Sequence, residues 1–371
     1  MYEDSREEIM NSTYKAFWLE AGDLVVIDQT QLPFRSVTKT LKTSADATLA
    51  IQDMTVRGAG VIGNVAAFGV YLAARESKGD REKIKTLSSV IRRARPTAVN
   101  LMWAVDRMIA VLEKAPANQD LVEIALKEAI AIADEDVIGT RNIGKFGCEL
   151  IEAIAKTKPK GEPVNILTHC NAGWLAIVDR GSALAPIYEA SDRGLNIHVW
   201  VDETRPRNQG ANLTAWELGQ SNIPHTLIAD NTGGLLMQYG KVDLCIVGTD
   251  RTTRSGDVAN KIGTYLKALA AFDNNVPFYV ALPSSTFDMQ IVDGVKEIAI
   301  ETRSEDEVLY MQGLQDDGNI GKVRVAPLET TALNYGFDIT PARLVTGLIT
   351  ERGICDAAET AIAGMFLDLI P

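Results

Sequence analysis

Apolar positions follow two rhythms along the chain. Near the start, Tyr14 to Leu19 and Leu24 to Asp28 are short apolar, β-branched and aromatic runs. Glu20-Ala21-Gly22-Asp23 separates them, which predicts a hairpin. From Ser44 to Asp134 the apolar residues recur at helical spacing among Ala, Leu, Met, Glu and Lys, with Pro96 and Ala115-Pro116-Ala117-Asn118 as punctuation. The spacing predicts separate helices over Asp120 to Glu135 and Thr140 to Lys156, then a loop over Thr157 to Pro163. A boundary between residues 135 and 160 follows. The chain divides into 1–140, mainly helical with a β-hairpin start, and 141–371.

Beyond Pro163 the rhythm becomes strand, polar turn, helix. Val164 to Cys170, Asn196 to Asp202, Thr226 to Ala229, Val242 to Val247 and Phe278 to Leu282 lack the polar alternation of a half-exposed sheet. Fully buried parallel strands read this way. Ala172 to Ala190, Leu213 to Gly219 and Asn260 to Asp273 are helical stretches between them. The fold class is therefore α/β, a doubly wound parallel sheet in the C-terminal domain with a smaller N-terminal domain of helices and a short antiparallel sheet.

In such a sheet, ligands bind beyond the carboxyl ends of the strands. Those ends are polar here: Thr168-His169-Cys170-Asn171-Ala172-Gly173, Asp202 to Gly210, Gly248-Thr249-Asp250-Arg251 and Pro283-Ser284-Ser285-Thr286. Cys170 stands where a helix is expected to begin, and helix N-terminal amides favour a thiolate. Its competing role is that of a small buried apolar residue, the reading given to Cys148, Cys245 and Cys355. His169 points to the opposite strand face from Cys170 and is read as structural. Asp250 leaves an apolar strand into partial desolvation, which suits a carboxyl to general acid work; a salt bridge to Arg251 is the alternative. Gly256 to Gly263 places Asn260 and Lys261 at an expected helix start suited to an anion.

Gly58-Ala59-Gly60-Val61-Ile62-Gly63 matches the dinucleotide-binding glycine pattern, but a helix rather than a buried strand is expected before it. Two readings remain open. Arg57 and the glycines form a phosphate cradle at a helix N-terminus, or the glycines serve close helix packing.

Composition narrows the choice of partner. The 371 residues are 46% hydrophobic and carry a net charge of -12, and the one basic cluster, Arg92, Arg93 and Arg95, is too short for a nucleic-acid footprint. Four widely spaced cysteines and an acidic start predict a reducing, cytoplasmic setting. The apolar runs are too short to predict a membrane span. His169, His198, His225 and the cysteines lack ligand spacing, so neither a metal nor a cofactor is expected.

The sequence resembles the aldose-ketose isomerase family of 5-methylthioribose-1-phosphate isomerase, relatives of the regulatory subunits of a eukaryotic translation-initiation exchange factor. The resemblance rests on Arg57-Gly58-Ala59, Arg95-Pro96-Thr97-Ala98-Val99-Asn100, Leu167 to Gly173, Glu203-Thr204-Arg205-Pro206 with Gln209-Gly210-Ala211, Gly248 to Arg251 with Gly256 to Lys261, and Phe337 to Pro341. It implies a Rossmann-like catalytic domain, a homodimer, and a place in methionine salvage. Cys170 and Asp250 would be the catalytic pair, absent from the regulatory subunits, with Arg57, Gly58, Ala59, Arg95, Gln209, Asn260 and Lys261 holding the sugar phosphate.

Gly60-Val61 stands where the family usually has Pro-Ala, and Trp174 where it has a small residue. A pocket-facing Trp174 would exclude a methylthio group and favour 5-deoxyribose 1-phosphate; a core position leaves specificity unaffected. The expected reaction converts 5-methylthioribose 1-phosphate to 5-methylthioribulose 1-phosphate. The alternatives are isomerisation of 5-deoxyribose 1-phosphate or ribose 1,5-bisphosphate, and a non-catalytic regulatory module. Hydrogen would pass from C2 to C1 as a hydride or through an enediol, with Asp250 as the acid that opens the ring.

Overall fold

The computed structural model describes residues 16–95 and 98–369, so Tyr14 and the predicted break at Pro96 lie outside the described residues. Strands β1 (Phe17–Glu20) and β2 (Asp23–Ile27) pair antiparallel, and β3 (Thr38–Leu41) joins β2 to complete a three-stranded sheet. Ala21 and Gly22 both take positive φ, at 50° and 86°. Positive φ at both central residues is the requirement of a two-residue type I′ hairpin turn, so the strands are tied closely.

Five helices follow: α1 (Ser44–Gln52), α2 (Ala59–Glu76), α3 (Arg81–Arg92), α4 (Val99–Lys114) and α5 (Leu121–Ala155). Thr43 and Asp46 form a reciprocal cap on α1, while Asp80 and Asp120 cap α3 and α5 with their carboxylates. Helix α2 is apolar on nearly every face and buried from Gly60 to Ala74 among the others. Its glycines let neighbours approach: a side chain at Gly63 would press on Asn100, and one at Gly69 on Ala47 and Ile91.

The two helices expected over 120–156 are one. Asp136-Val137-Ile138-Gly139 holds no proline, and the roughly 1 kcal/mol that a helical glycine costs is small beside the packing on either side. The boundary drawn after residue 140 therefore falls inside α5. Leu121, Ala125, Ala129, Ile132, Ala133 and Val137 pack into the core of the helical half, whereas Ile143, Cys148 and Ile151 pack into the core beneath the large sheet.

The remaining strands are β4 (Val164–Thr168), β5 (Ile197–Asp202), β6 (His225–Ile228), β7 (Leu244–Val247), β8 (Arg251–Thr253), β9 (Val258–Lys261), β10 (Phe278–Ala281), β11 (Phe287–Asp288), β12 (Tyr310–Leu314), β13 (Ile320–Arg324), β14 (Phe337–Thr340), β15 (Gly347–Thr350) and β16 (Gly353–Cys355). Seven of them form the large sheet in the order β16-β15-β10-β7-β4-β5-β6, parallel except for β16. The chain enters at β4, winds outward through β5 and β6, then returns to the other side of β4 for β7, β10 and β15. This is the doubly wound order, with its switch point between β4 and β7. A second sheet, β11-β8-β9-β14, stands beyond β7, and β12 and β13 form a separate hairpin.

All five predicted parallel strands are present, and three local expectations need correction. Strand β6 lies at the sheet edge, and Thr226 and Leu227 are exposed rather than buried. Ala172 to Ala190 is helical only over α6 (Ala185–Asp192). The stretch before it is buried irregular chain, because its polar backbone bonds outward: Val61 N–H donates to Ala176 O, Gln29 Nε2 to Leu175 O, and the Glu217 carboxylate accepts from Trp174 and Leu175 N–H. Asn260 and Lys261 belong to β9, and the helix expected there, α9 (Thr264–Asp273), begins after Gly263; α7 (Ala215–Gln220) and α8 (Thr232–Gln238) precede it in the chain.

Candidate active site

Cys170 follows β4 and Asp250 follows β7, so the two strands that flank the switch point deliver them to one crevice. A cavity of about 20 Å³ is lined by Met54, Arg57, Gly58, Arg95, Cys170, Gln209, Asp250, Lys261, Arg303 and Phe337. It shares Met54, Arg57 and Gln209 with a chamber of about 270 Å³ roofed partly by β12 and β13. It shares Arg95, Asp250 and Phe337 with an apolar cleft where Ala59 is found.

Cys170 does not begin a helix. Its φ is +67°, a left-handed conformation costly for a non-glycine residue, and the surroundings hold it there. Its N–H donates to Thr204 Oγ1 (2.8 Å) and its carbonyl accepts from Thr214 Oγ1 (2.7 Å). The thiol donates to Gln209 Oε1 at 3.4 Å. Burial pushes the Cys170 pKa up, against the pull of the Arg57 and Lys261 cations. The expectation of a thiolate favoured by helix amides is therefore corrected. Cys170 is not at the start of a helix of its own, and burial biases its thiol towards the protonated form.

Arg57 is buried between the two halves. It donates to Asn171 Oδ1 (2.5 Å) and Asn171 O (3.0 Å). Asn171 in turn donates to Glu217 (2.9 Å), whose carboxylate also accepts from Tyr188 Oη (2.7 Å). Gly58 has φ +94°, and a β-carbon there would lie 2.5 Å from Ala176 Cα, so only glycine lets the start of α2 meet the segment after Cys170. Within the glycine motif, Gly58 shapes the cavity wall and Gly63 serves packing against Asn100.

Lys261 Nζ donates to Gly336 O (2.9 Å) and lies 4.6 Å from the Phe337 ring centre. Desolvation lowers the pKa of both Lys261 and Arg57, while Cys170 and Asp250 act in the opposite direction. Two buried cations held at such a cost form a place for an anion. Arg95 reaches Glu301 at 3.5 Å, and Arg303 pairs with Glu301 and Glu307. Arg251 turns to Asp288 (3.4 Å), and Asp250 is half-buried.

Two predicted site residues do not line this cavity: Ala59 lines the adjoining cleft, and Asn260 is buried and donates to Thr264 Oγ1 (3.0 Å). Neighbours on a strand face opposite ways, and Lys261 takes the cavity side. Trp174 is 1% exposed and packs in the core against Trp216, with ring centres 5.5 Å apart, so it does not reach the pocket.

Arg303 and Glu217 were not anticipated. Arg303 sits in a charged, irregular stretch that reads as solvated surface, and Glu217 in a helical stretch where a glutamate is ordinarily exposed. Among the described residues, His169, Asp202 and Asp230 bring metal-type ligand atoms within 4.8 Å of one another. The Lys267 ammonium already supplies positive charge there, 3.2 Å from Asp202 Oδ2.

The Initiation factor 2 subunit family profile matches residues 55–357. The chain belongs to this family. Within it, the chain is 58% identical over 352 residues to a methylthioribose-1-phosphate isomerase of Sulfurimonas denitrificans, covering 94% of this chain and 97% of that one. The crystal structure of a 5-methylthioribose 1-phosphate isomerase from Pyrococcus horikoshii superposes with TM-score 0.82 at 36% identity, over 98% of both chains. A structure described as the delta subunit of translation initiation factor eIF-2B from A. fulgidus superposes with TM-score 0.80 at 38% identity, over 95% of this chain and 99% of that one. The family thus includes proteins named as enzymes and proteins named as translation factors. The α/β fold with its parallel sheet and smaller antiparallel sheet is common to both structures.

Proposed function

We propose that this chain is an aldose-ketose isomerase that converts 5-methylthioribose 1-phosphate to 5-methylthioribulose 1-phosphate, a step of methionine salvage. The observation that carries the reading is a thiol and a carboxylate at the switch point facing the same cavity as Arg57, Arg95 and Lys261. Full-length relatives at 54–58% identity bear the isomerase name, which favours an enzyme over a regulatory module. Trp174 in the core removes the steric argument for a smaller 5-substituent.

The anomeric oxygen of the substrate is esterified, so the ring must be opened by acid. Asp250 gives its proton to the ring oxygen as the C1–O bond breaks. Hydride then moves from C2 to C1, and the Asp250 carboxylate takes the proton of the 2-hydroxyl as the ketone forms; no atom is gained or lost. Cys170, kept as a thiol by burial, is unsuited to act as a base, which favours the hydride path over the enediol. Its S–H dipole and the nearby cations stabilise the charges that develop. Arg57, Arg95 and Lys261 take the phosphate with the first turn of α2, and Gln209 orients the sugar.

The test is turnover of 5-methylthioribose 1-phosphate, 5-deoxyribose 1-phosphate and ribose 1,5-bisphosphate, followed by phosphorus NMR with Cys170→Ser as control. Fast conversion of the first, lost in the variant, supports the reading; preference for another names that substrate instead, and no conversion of any favours the regulatory alternative. A homodimer in the cytoplasm completes the proposal. Exposed Leu235, Tyr239, Leu266 and Phe272 around α8 and α9 suit a subunit contact, and the buried free cysteines suit a reducing compartment. Light scattering on the eluted protein checks the dimer.

A further inference from the structure

His169 is fully enclosed, and both of its ring nitrogens face acceptors. Nδ1 lies 2.8 Å from Asp202 Oδ2 at the end of β5, and Nε2 lies 2.9 Å from the carbonyl of Ile262 just past β9. The ring therefore bridges two sheets. Gly263 adopts φ +102°, and a β-carbon there would come within 3.0 Å of the imidazole, so the turn after β9 is shaped around this ring. That turn is pinned from the far side by Asp338, which accepts from Gly263 N–H (2.7 Å) and Tyr265 N–H (3.1 Å). Asp202 is anchored in turn by Lys267 (3.2 Å).

The residues next to this bridge are those that line the cavity. Cys170 follows His169 in the chain, and Lys261 precedes Ile262. Among the described residues, no other hydrogen bond joins the end of β4 to the end of β9. We propose that His169 is a positioning residue: its imidazole, spanning Asp202 and Ile262 O, sets the separation between Cys170 and Lys261. The inference rests on the isomerase reading for its kinetic consequences alone.

Two amide variants separate the arms of the bridge. In His169→Gln the side-chain nitrogen falls near the Nε2 position and keeps the bond to Ile262 O; in His169→Asn it falls near Nδ1 and keeps only Asp202. Misplacement of a reacting group by about 1 Å costs on the order of 100-fold. His169→Asn should therefore lower kcat about 30-fold or more and, because Lys261 also holds the phosphate, raise KM, and His169→Gln should stay within about 5-fold of the parent in both. The second readout needs no substrate: iodoacetamide labelling of Cys170 against pH, read on its peptide by mass spectrometry. When Lys261 moves away, its pull on the thiol weakens, so labelling should shift to higher pH in His169→Asn and stay in place in His169→Gln.

Equal kinetic loss in both variants, tracking an equal fall in Tm, would make His169 part of the scaffold only and overturn the inference. So would parent-like labelling and kinetics in His169→Asn. If the parent protein turned over none of the sugar phosphates, the function proposed above would fall, while the labelling profiles would still decide the positioning role.

Discussion

The helical half of the molecule brings Arg57 and Arg95 to the cavity, and the sheet half brings a thiol and a carboxylate together with Lys261; the two sets are held by different means. Arg57 and Arg95 come from chain between helices, and Arg57 is fixed by a chain of hydrogen bonds through Asn171 to Glu217, which belongs to the other half. Cys170 is carried past the end of β4 and held by Thr204 and Thr214, and Asp250 is carried past the end of β7 with its N–H on Ala259 O. The arginines of the helical half are thus placed across the junction, whereas the reacting groups are placed within the sheet half. Substitutions in the two sets should separate into effects on KM and on kcat.

The largest expected effect is on the sheet side. Asp250→Asn should lower kcat about 1,000-fold with KM nearly unchanged, since it removes the proton donor and acceptor of the step. Retained turnover would remove Asp250 from the chemistry. Cys170→Ser should cost about 100-fold, and the parent reaction run in D₂O should place no solvent deuterium at C1; incorporation there would replace the hydride path with the enediol. On the helical side, Arg95→Ala should raise KM about 10-fold, equivalent to about 1.4 kcal/mol of lost phosphate binding, with kcat within a few fold. A fall in kcat instead would erase the division between the halves.

The smallest effect concerns stability rather than rate. Asp136 on α5 accepts from Asn64 Nδ2 (2.6 Å), and burial raises its pKa to about 7 from the ordinary 3.8. A carboxyl raised on folding retains a proton that the unfolded chain releases. Stability from this group is present at low pH and is lost as the pH climbs through about 7, at a cost on the order of 4 kcal/mol at most. Asp136→Asn should therefore raise Tm more at pH 8 than at pH 5. An equal rise at both would assign the gain to packing.

The parallel strands were legible because a strand covered on both faces has no polar alternation, and their ends announced the chemistry because doubly wound sheets use them. The irregular path from Ala172 to Leu184 was not, since its composition suits a helix and only distant partners such as Gln29, Val61 and Glu217 draw its backbone away from one. Asn260 and Lys261 looked alike in sequence; a strand separates their side chains where a helix start would have kept them together. Arg303 left no local signal. It is recruited by the Thr302–Tyr335 bridge and by Glu301 and Glu307, contacts that periodicity cannot report.

Helix α5, at 35 residues, extends about 52 Å and gives its first half to one core and its second half to the other. A helix breaks only at some cost in its middle, so loss of order on one side propagates to the other. Heating should therefore melt both halves in a single calorimetric transition. Natural variation that loosens the distant helical bundle would reach the cavity as lost cooperativity long before any residue touching the substrate is changed.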